Sequence, residues 1–340
     1  MERVGQHERQ NRIKGTGAMN AGYGSLFKST RLGQTPKFAK RILGFKYLNK
    51  SDFMVDLDQA EAHRLLGLAT RAVGGPDTPA PILVLGVMPR AGSNFLRDIL
   101  VEHPGVYPDP GHLYEFPLLH AAGSARAFMQ DFIAMFPRNR EVLGQWDALA
   151  MLAGAWMREL QAEAGDKRIL LKCPHVQYLN LAPIIFPTAK ILICVRDGRD
   201  VADSTLRTFK RLSITRKTLA QIAHEWTLGT QAALTFDGGA NAHPNVHVVR
   251  YEDLVRNAET MLPTVLNFLQ LDVDSYPFEK VAALPVRGSS RSEHSDKTRW
   301  EPQDKPKKFN PIGRWEGWTQ SQKISFGKIA ANTLADAGYD

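Results

Sequence analysis

Two cysteines in 340 residues leave no basis for a disulfide framework, and no Cys-x-x-Cys pair offers a structural zinc site. Cys173 and Cys194 each lie in or beside an apolar strand-like run and read as two buried thiols. His243 and His247 form the one His-x-x-x-His pair. They span a proline and the start of a strand, so their imidazoles do not share a helix face and no metal site is read there. Long apolar runs are missing as well. None reaches the roughly 18 residues of a membrane span, and the polar start MERVGQHERQNRIKG is not a signal peptide. A cytoplasmic protein is the expectation. No internal repeat is visible.

What is present is an ordinary globular composition, 43% hydrophobic and 23% charged, with a net charge of +8. That charge favours an anionic partner, whether nucleic acid, an acidic lipid surface or a polyanionic small molecule, without choosing among them. Met1 to about Gly24 mixes glycine, glutamine and charge without periodicity and reads as a disordered or loosely attached tail. Phe27 to Lys50 is basic with scattered aromatics, a pattern that suits a solvated face better than a nucleic-acid patch. Asp56 to Val73 is an amphipathic helix closed by Gly74-Gly75, and Pro76, Pro79 and Pro81 stiffen the connection that follows. The expected division is therefore an N-terminal extension, 1–80, and one domain, 81–340.

The stretch PILVLGVMPRAGSNFLRDIL, Pro81 to Leu100, organises the rest. A buried strand over Ile82 to Leu85 stops at Gly86 and crosses a turn holding Pro89, Arg90, Ala91, Gly92 and Ser93. It re-emerges with helical spacing at Phe95, Leu96, Ile99 and Leu100. Strand, glycine-bearing turn and helix point free N–H groups and a positive helix end at one spot, which suits phosphate or sulfate. Arg90 adds a forked cation, and Ser93 and Asn94 add side-chain donors. A nucleoside-triphosphate loop would need G-x-x-x-x-G-K-[ST]; this turn has no lysine and one residue too many between its glycines.

Downstream, EHPGVYPDPGHLYEF reads as a loop. Helices are expected over Ser124 to Phe136 and Glu141 to Glu163, the Met and Trp of the second being core. Strands are expected at Arg168 to Leu171, Ile191 to Val195 and Val246 to Val249, with helices at Arg199 to Phe209, Leu219 to Leu234 and Glu259 to Leu269, the last interrupted at Pro263. Pro285 to Pro311 is a long polar loop and Gln320 to Ala335 a last helix. Strands alternating with helices imply an α/β fold in three layers, a mostly parallel P-loop-like sheet flanked by helices. In such a sheet the carboxyl ends of the strands share one edge. Arg90, Lys172 and Arg196, with Ser204 on the next helix, therefore converge on one rim. Like charges massed there call for an anion.

MPRAGSNFL resembles the 5′-phosphosulfate loop of sulfotransferases that use 3′-phosphoadenosine 5′-phosphosulfate (PAPS) and release 3′-phosphoadenosine 5′-phosphate (PAP). VRDGRDVADSTL is similar to that family's 3′-phosphate motif, an arginine at a strand end and a serine eight residues later. LLKCPH resembles the lysine-x-proline strand end of the tyrosylprotein and carbohydrate branches, and VRYEDLV…FLQL their tyrosine-glutamate segment and following helix.

The resemblance implies that Arg90, Gly92, Ser93 and Asn94 hold the 5′-phosphosulfate, helped by the Ala91 N–H. Arg196 binds the 3′-phosphate bidentately, with Ser204. Tyr251 lies near the nucleotide or is a core tyrosine with a bonded hydroxyl. Ser289 or Ser290, with Arg291, closes over the nucleotide, and Arg314 finishes the pocket. Arg90 and Lys172 take up charge in the transfer. The base is Glu115, with His112 and Asp109 as alternates. No metal is implied, and the partner is a hydroxyl-bearing acceptor, a tyrosine, sugar, lipid or small molecule. Nucleic acid is not expected; a homodimer is allowed. Golgi relatives begin with a membrane anchor, and its absence here implies a soluble, bacterial-type enzyme. The rival readings are a P-loop-type phosphoryl-transfer kinase, which would depend on a metal, and a non-catalytic binder of polyanions, which would bind with steep salt dependence and no affinity for the nucleotide.

Overall fold

In the computed structural model, residues 48–73, 78–208, 217–287, 304 and 309–339 are described, and they fall within one compact unit, Leu48–Asp340. The N-terminal tail, almost all of the Phe27 to Lys50 segment, and Ser289, Ser290 and Arg291 lie outside the described residues.

The apolar runs form a five-stranded parallel sheet. Its strands are β1 (Ile82–Gly86), β2 (Val106–Tyr107), β3 (Arg168–Cys173), β4 (Lys190–Val195) and β5 (Val246–Arg250), in the order β2-β3-β1-β4-β5. Register is fixed by Leu83 opposite Leu171 on one side and Ile191 on the other. Because successive side chains point to opposite faces, each strand serves two cores. Leu83, Leu85, Ile191 and Ile193 join one cluster, and Ile82, Val84, Leu192 and Cys194 the other. That is why these runs are apolar throughout instead of alternating. Both cysteines are buried and free.

On the second face lie α3 (Ser93–Leu100) and the pair α9 (Tyr251–Arg256) and α10 (Ala258–Phe268), through Leu96, Ile99, Leu254, Leu262 and Val265. The first face is covered by α2 (Gln59–Val73), α4 (Ala122–Met135), α5 (Asp147–Ala164), α8 (Leu219–Leu234) and α11 (Gln320–Asp336). The short helices α1 (Lys50–Phe53) and α6 (Ala182–Ile185) and the longer α7 (Gly198–Thr208) complete the set. No helix among the described residues is long and apolar enough to cross a membrane. The three layers match the expected fold class.

Several element bounds differ from expectation for local reasons. Val106–Tyr107 pairs with Arg168 and Ile169 as an edge strand inside the stretch expected to be a loop. Two residues between prolines and glycine are too few to show a period. The helix expected from Glu141 begins at Asp147, after a 3₁₀ turn over Pro137–Glu141. Asp147 takes both Arg64 guanidinium nitrogens, at 2.6 and 3.0 Å, and the Gly144 N–H at 3.0 Å, which fixes the start of the helix. The helix α2 starts at Gln59, where the Asp58 carboxylate accepts from the Glu61 N–H at 2.8 Å. Pro263 does not interrupt α10. One lost backbone bond is outweighed by the buried Leu262, Val265 and Leu266 around it.

Helices α2 and α5 touch backbone to side chain at Gly154, where a Cβ would stand 2.4 Å from the Ala72 carbonyl carbon. Alanine would gain up to about 1 kcal/mol of helix propensity over glycine, but crowding against backbone costs about 1–3 kcal/mol. Gly154→Ala should therefore lower stability despite its better propensity. A urea unfolding midpoint equal to or above wild type would show that the two helices can separate freely.

Candidate active site

The turn after β1 is built around a residue in an unfavourable conformation. Ala91 N–H donates to Met88 O at 3.1 Å with Pro89 and Arg90 between them. Proline second and a positive φ third are the marks of a type II turn, whose third place normally takes glycine. Here Arg90 occupies it at φ 81°. Two residues on, Gly92 sits at φ 103°, and a Cβ there would come within 2.3 Å of the Tyr251 ring. The Ala91 N–H, expected to face the ligand, is thus engaged within the turn. The donors that open towards the cleft are those of the first turn of α3, Ser93 to Phe95, which have no intrahelical acceptor.

Strand ends of the parallel sheet bring the other groups to the same place. Lys172, near the end of β3, donates through Nζ to Asn94 Oδ1 at 2.7 Å and to Glu115 Oε1 at 3.1 Å. Arg196, just past β4, donates from Nη1 to Arg90 O at 3.0 Å and from Nη2 to Pro311 O at 2.5 Å. Its plane lies over the Tyr251 ring, 4.7 Å from the centroid. Its Nε is buried and has no hydrogen-bond partner among the described residues. Arg90 Nε donates to Ser204 Oγ at 2.9 Å, so the turn after β1 touches α7 directly. Arg90, Ser93, Asn94, Glu115, Arg196, Ser204 and Arg314 line a cleft of about 700 Å³; Lys172 is not among the lining residues and meets them through Asn94 and Glu115.

A buried donor with no acceptor is costly and usually marks a missing partner. Arg196, Lys172 and Arg314 are each under 10% exposed, and Arg196 and Arg314 bring buried positive charge to the cleft wall. Burial lowers the Lys172 pKa below the ordinary lysine value, and the nearby Glu115 carboxylate only partly restores it. Burial raises the Tyr251 phenol, with Arg196 and Arg314 pulling the other way. Tyr251 is at once a core residue, 7% exposed, and part of the cleft wall.

Of the three base candidates, Glu115 lines the cleft and touches Lys172. Asp109 is ion-paired to Arg97, and His112 is exposed in the 3₁₀ turn Pro110–His112; neither is among the residues lining the cleft. Sequence reasoning missed Asp98, a buried carboxylate one turn beyond Asn94 that lines the cleft and pairs with Arg97 and Arg287. Its signal was present, since an acid four residues after Asn94 lies on the same helix face.

A model described as the sulfotransferase family matches residues 81–275. Among curated proteins the chain is 22% identical over 283 residues to protein-tyrosine sulfotransferase A of Caenorhabditis elegans, spanning 80% of this chain and 70% of that protein. Among solved structures, the sulfotransferase domain from the Synechococcus PCC 7002 olefin synthase is 22% identical at a TM-score of 0.46, covering 76% of this chain and 97% of that one. A mouse sulfotransferase complexed with PAP is 14% identical at a TM-score of 0.43, covering 80% and 88%.

The turn itself yields a contrast in stability. Arg90→Gly relieves about 1–2 kcal/mol of left-handed strain, which offsets the loss of its hydrogen bond to Ser204, about 1 kcal/mol, so its unfolding free energy should fall by much less than that of Gly92→Ala. Gly92→Ala adds that strain and drives a methyl into Tyr251, for a loss of about 2–5 kcal/mol. Equal losses for the two variants in urea would contradict this account of the turn.

Proposed function

This chain belongs to the sulfotransferase family, and we propose that it moves a sulfuryl group from PAPS to a hydroxyl acceptor by in-line displacement. The observation that carries the reading is that Arg90 and Arg196, each brought there by its own strand, line one cleft, with Arg196 Nη1 donating to the Arg90 main-chain carbonyl at 3.0 Å. Two anionic groups on one ligand fit two such ends.

The 5′-phosphosulfate end would lie against the first turn of α3, where Gly92, Ser93 and Asn94 supply donors and Arg90 and Lys172 supply charge. Arg196, with its unpartnered Nε, Ser204 and Arg314 would hold the 3′-phosphate, with Tyr251 as the floor beneath Arg196. The apolar part of the lining, Leu254, Phe278 and Val281, suits a purine. When bound, the nucleotide supplies a sulfuryl group on a phosphate leaving oxygen. Glu115 takes the acceptor's proton on its carboxylate. Lys172 keeps Glu115 turned into the cleft and, once that carboxylate is neutralised, directs its charge to the oxygens that gain negative charge. The acceptor is a tyrosine, sugar, lipid or small-molecule hydroxyl. In this reading the catalytic domain is 81–340, and helix α2, which precedes it, packs on α5 through Arg64 and Asp147 within the same compact unit.

Calorimetry with PAP tests the reading at its base, for a folded protein that takes up no PAP cannot be this enzyme. Glu115→Gln should lower kcat about 10²–10⁴-fold and leave the PAP Kd within about two-fold of wild type; parallel loss of both would remove Glu115 from the role of base. A labelled-sulfate screen across the four acceptor classes then narrows the acceptor.

The lowered Lys172 pKa gives a pH expectation with a definite sign. The protonated amine is lost at a lower pH than the ordinary lysine value of about 10.4, so kcat should fall on the alkaline side below that value. Lys172→Arg should move the fall upward. An alkaline limb that stays in place in the arginine variant would mean another group sets it.

A further inference from the structure

Asp200, in the first turn of α7, is fully buried. Its two oxygens gather three consecutive backbone N–H groups from a distant part of the chain. Oδ2 accepts from Gly313 at 2.9 Å, and Oδ1 accepts from Arg314 at 2.6 Å and from Trp315 at 3.4 Å. This is a carboxylate capping the 3₁₀ turn Arg314–Gly317, supplied by another element of the fold. The segment so held carries Arg314 and closely follows Pro311, the residue that meets Arg196. Pro311 O takes the Arg196 Nη2 hydrogen at 2.5 Å, and the Arg314 side chain borders the cleft. The neighbouring contacts point the same way. Arg199 lies over the Trp315 ring at 3.8 Å, and Trp318 Nε1 donates to Asp203 Oδ1 at 3.3 Å.

We propose that Asp200 is the positioning residue of the 3′-phosphate end: by fixing the Gly313–Trp315 backbone it sets where Arg314 and Pro311 stand relative to Arg196. The inference rests on the nucleotide reading above. Asp200 itself touches neither nucleotide nor acceptor. Its effect is therefore confined to the part of the ligand that Arg196 and Arg314 grip, the phosphate that distinguishes PAP from AMP. A side chain that merely supported the fold would weaken both nucleotides alike.

Asp200→Asn keeps the size of the side chain but replaces one acceptor oxygen with an N–H₂ that faces backbone donors. Gly313→Ala disturbs the same turn from the other partner. It strains a φ of 75° and sets a Cβ 2.6 Å from Glu316 Oε1, while the buried carboxylate stays intact. The experiment is calorimetry of the full chain with PAP and with AMP, alongside kcat at saturating PAPS. In both variants PAP affinity should fall about ten-fold or more, with AMP affinity within about two-fold of wild type and kcat little changed. Equal weakening of PAP and AMP, or no weakening of either, overturns the proposal. If Asp200→Asn does not fold, Gly313→Ala carries the same test. A wild-type protein that binds PAP no better than AMP would overturn the nucleotide reading itself, and the proposal with it.

Discussion

The Arg196 guanidinium holds three separate parts of the chain at one point. One nitrogen reaches the turn after β1, another the Pro311 carbonyl, and the plane rests on Tyr251 from the start of α9. A charged group only 5% exposed is costly to bury unless its N–H groups find oxygens and its charge finds a polarisable face. Two carbonyls and a ring meet part of that need, while Nε has no hydrogen-bond partner among the described residues. The main chain at this residue is fixed from behind as well. Trp226 Nε1 donates to Arg196 O at 3.0 Å, and the indole fits only because Gly198 has no Cβ, which would stand 2.4 Å away.

Buried acids close to the cationic rim offset part of its charge. Glu252, 3% exposed, accepts from the Asp197 N–H at 3.1 Å and from the Tyr339 hydroxyl at 2.7 Å. Burial raises its pKa, and those hydrogen bonds pull it back. Asp197 in turn pairs with Arg199 at 2.8 Å. The end of the chain is thereby tied to the site, for Tyr339 also lies under the Arg250 guanidinium at 4.6 Å. Asp197 and Glu252 lie outside the cleft lining, while Asp98 and Glu115 share that lining with Arg90, Arg196 and Arg314, so groups of both signs face the cleft.

How much of this could be read from the sequence follows from the range of each interaction. The buried strands announced themselves because a sheet covered on both faces needs continuous apolar runs. Once the strands were read as parallel, Arg90, Lys172 and Arg196 had to share an edge. What stayed hidden depends on pairs far apart in the chain. The Arg64–Asp147 bond that fixes the start of α5 joins residues 83 apart, and the Arg90–Ser204 bond residues 114 apart. Asp200 was within view in VRDGRD, but its function lies in where Gly313 and Arg314 fold back, which no local pattern encodes. Val106–Tyr107 is a strand only because β3 lies beside it.

Arg90 shows how the site's two ends are joined. A glycine would fill its place in the turn without strain, so the turn alone does not account for an arginine there at a cost of about 1–2 kcal/mol. Its contacts do. The side chain crosses to Ser204 on α7, while its own carbonyl receives Arg196. The residue that would face the sulfuryl group is thus bonded on both sides to residues that would face the 3′-phosphate. Side chain and main chain leave the same strained Cα, so Ser204 on α7 and Arg196 past β4 are joined through a single residue, and that double engagement is what a glycine in the turn would forfeit.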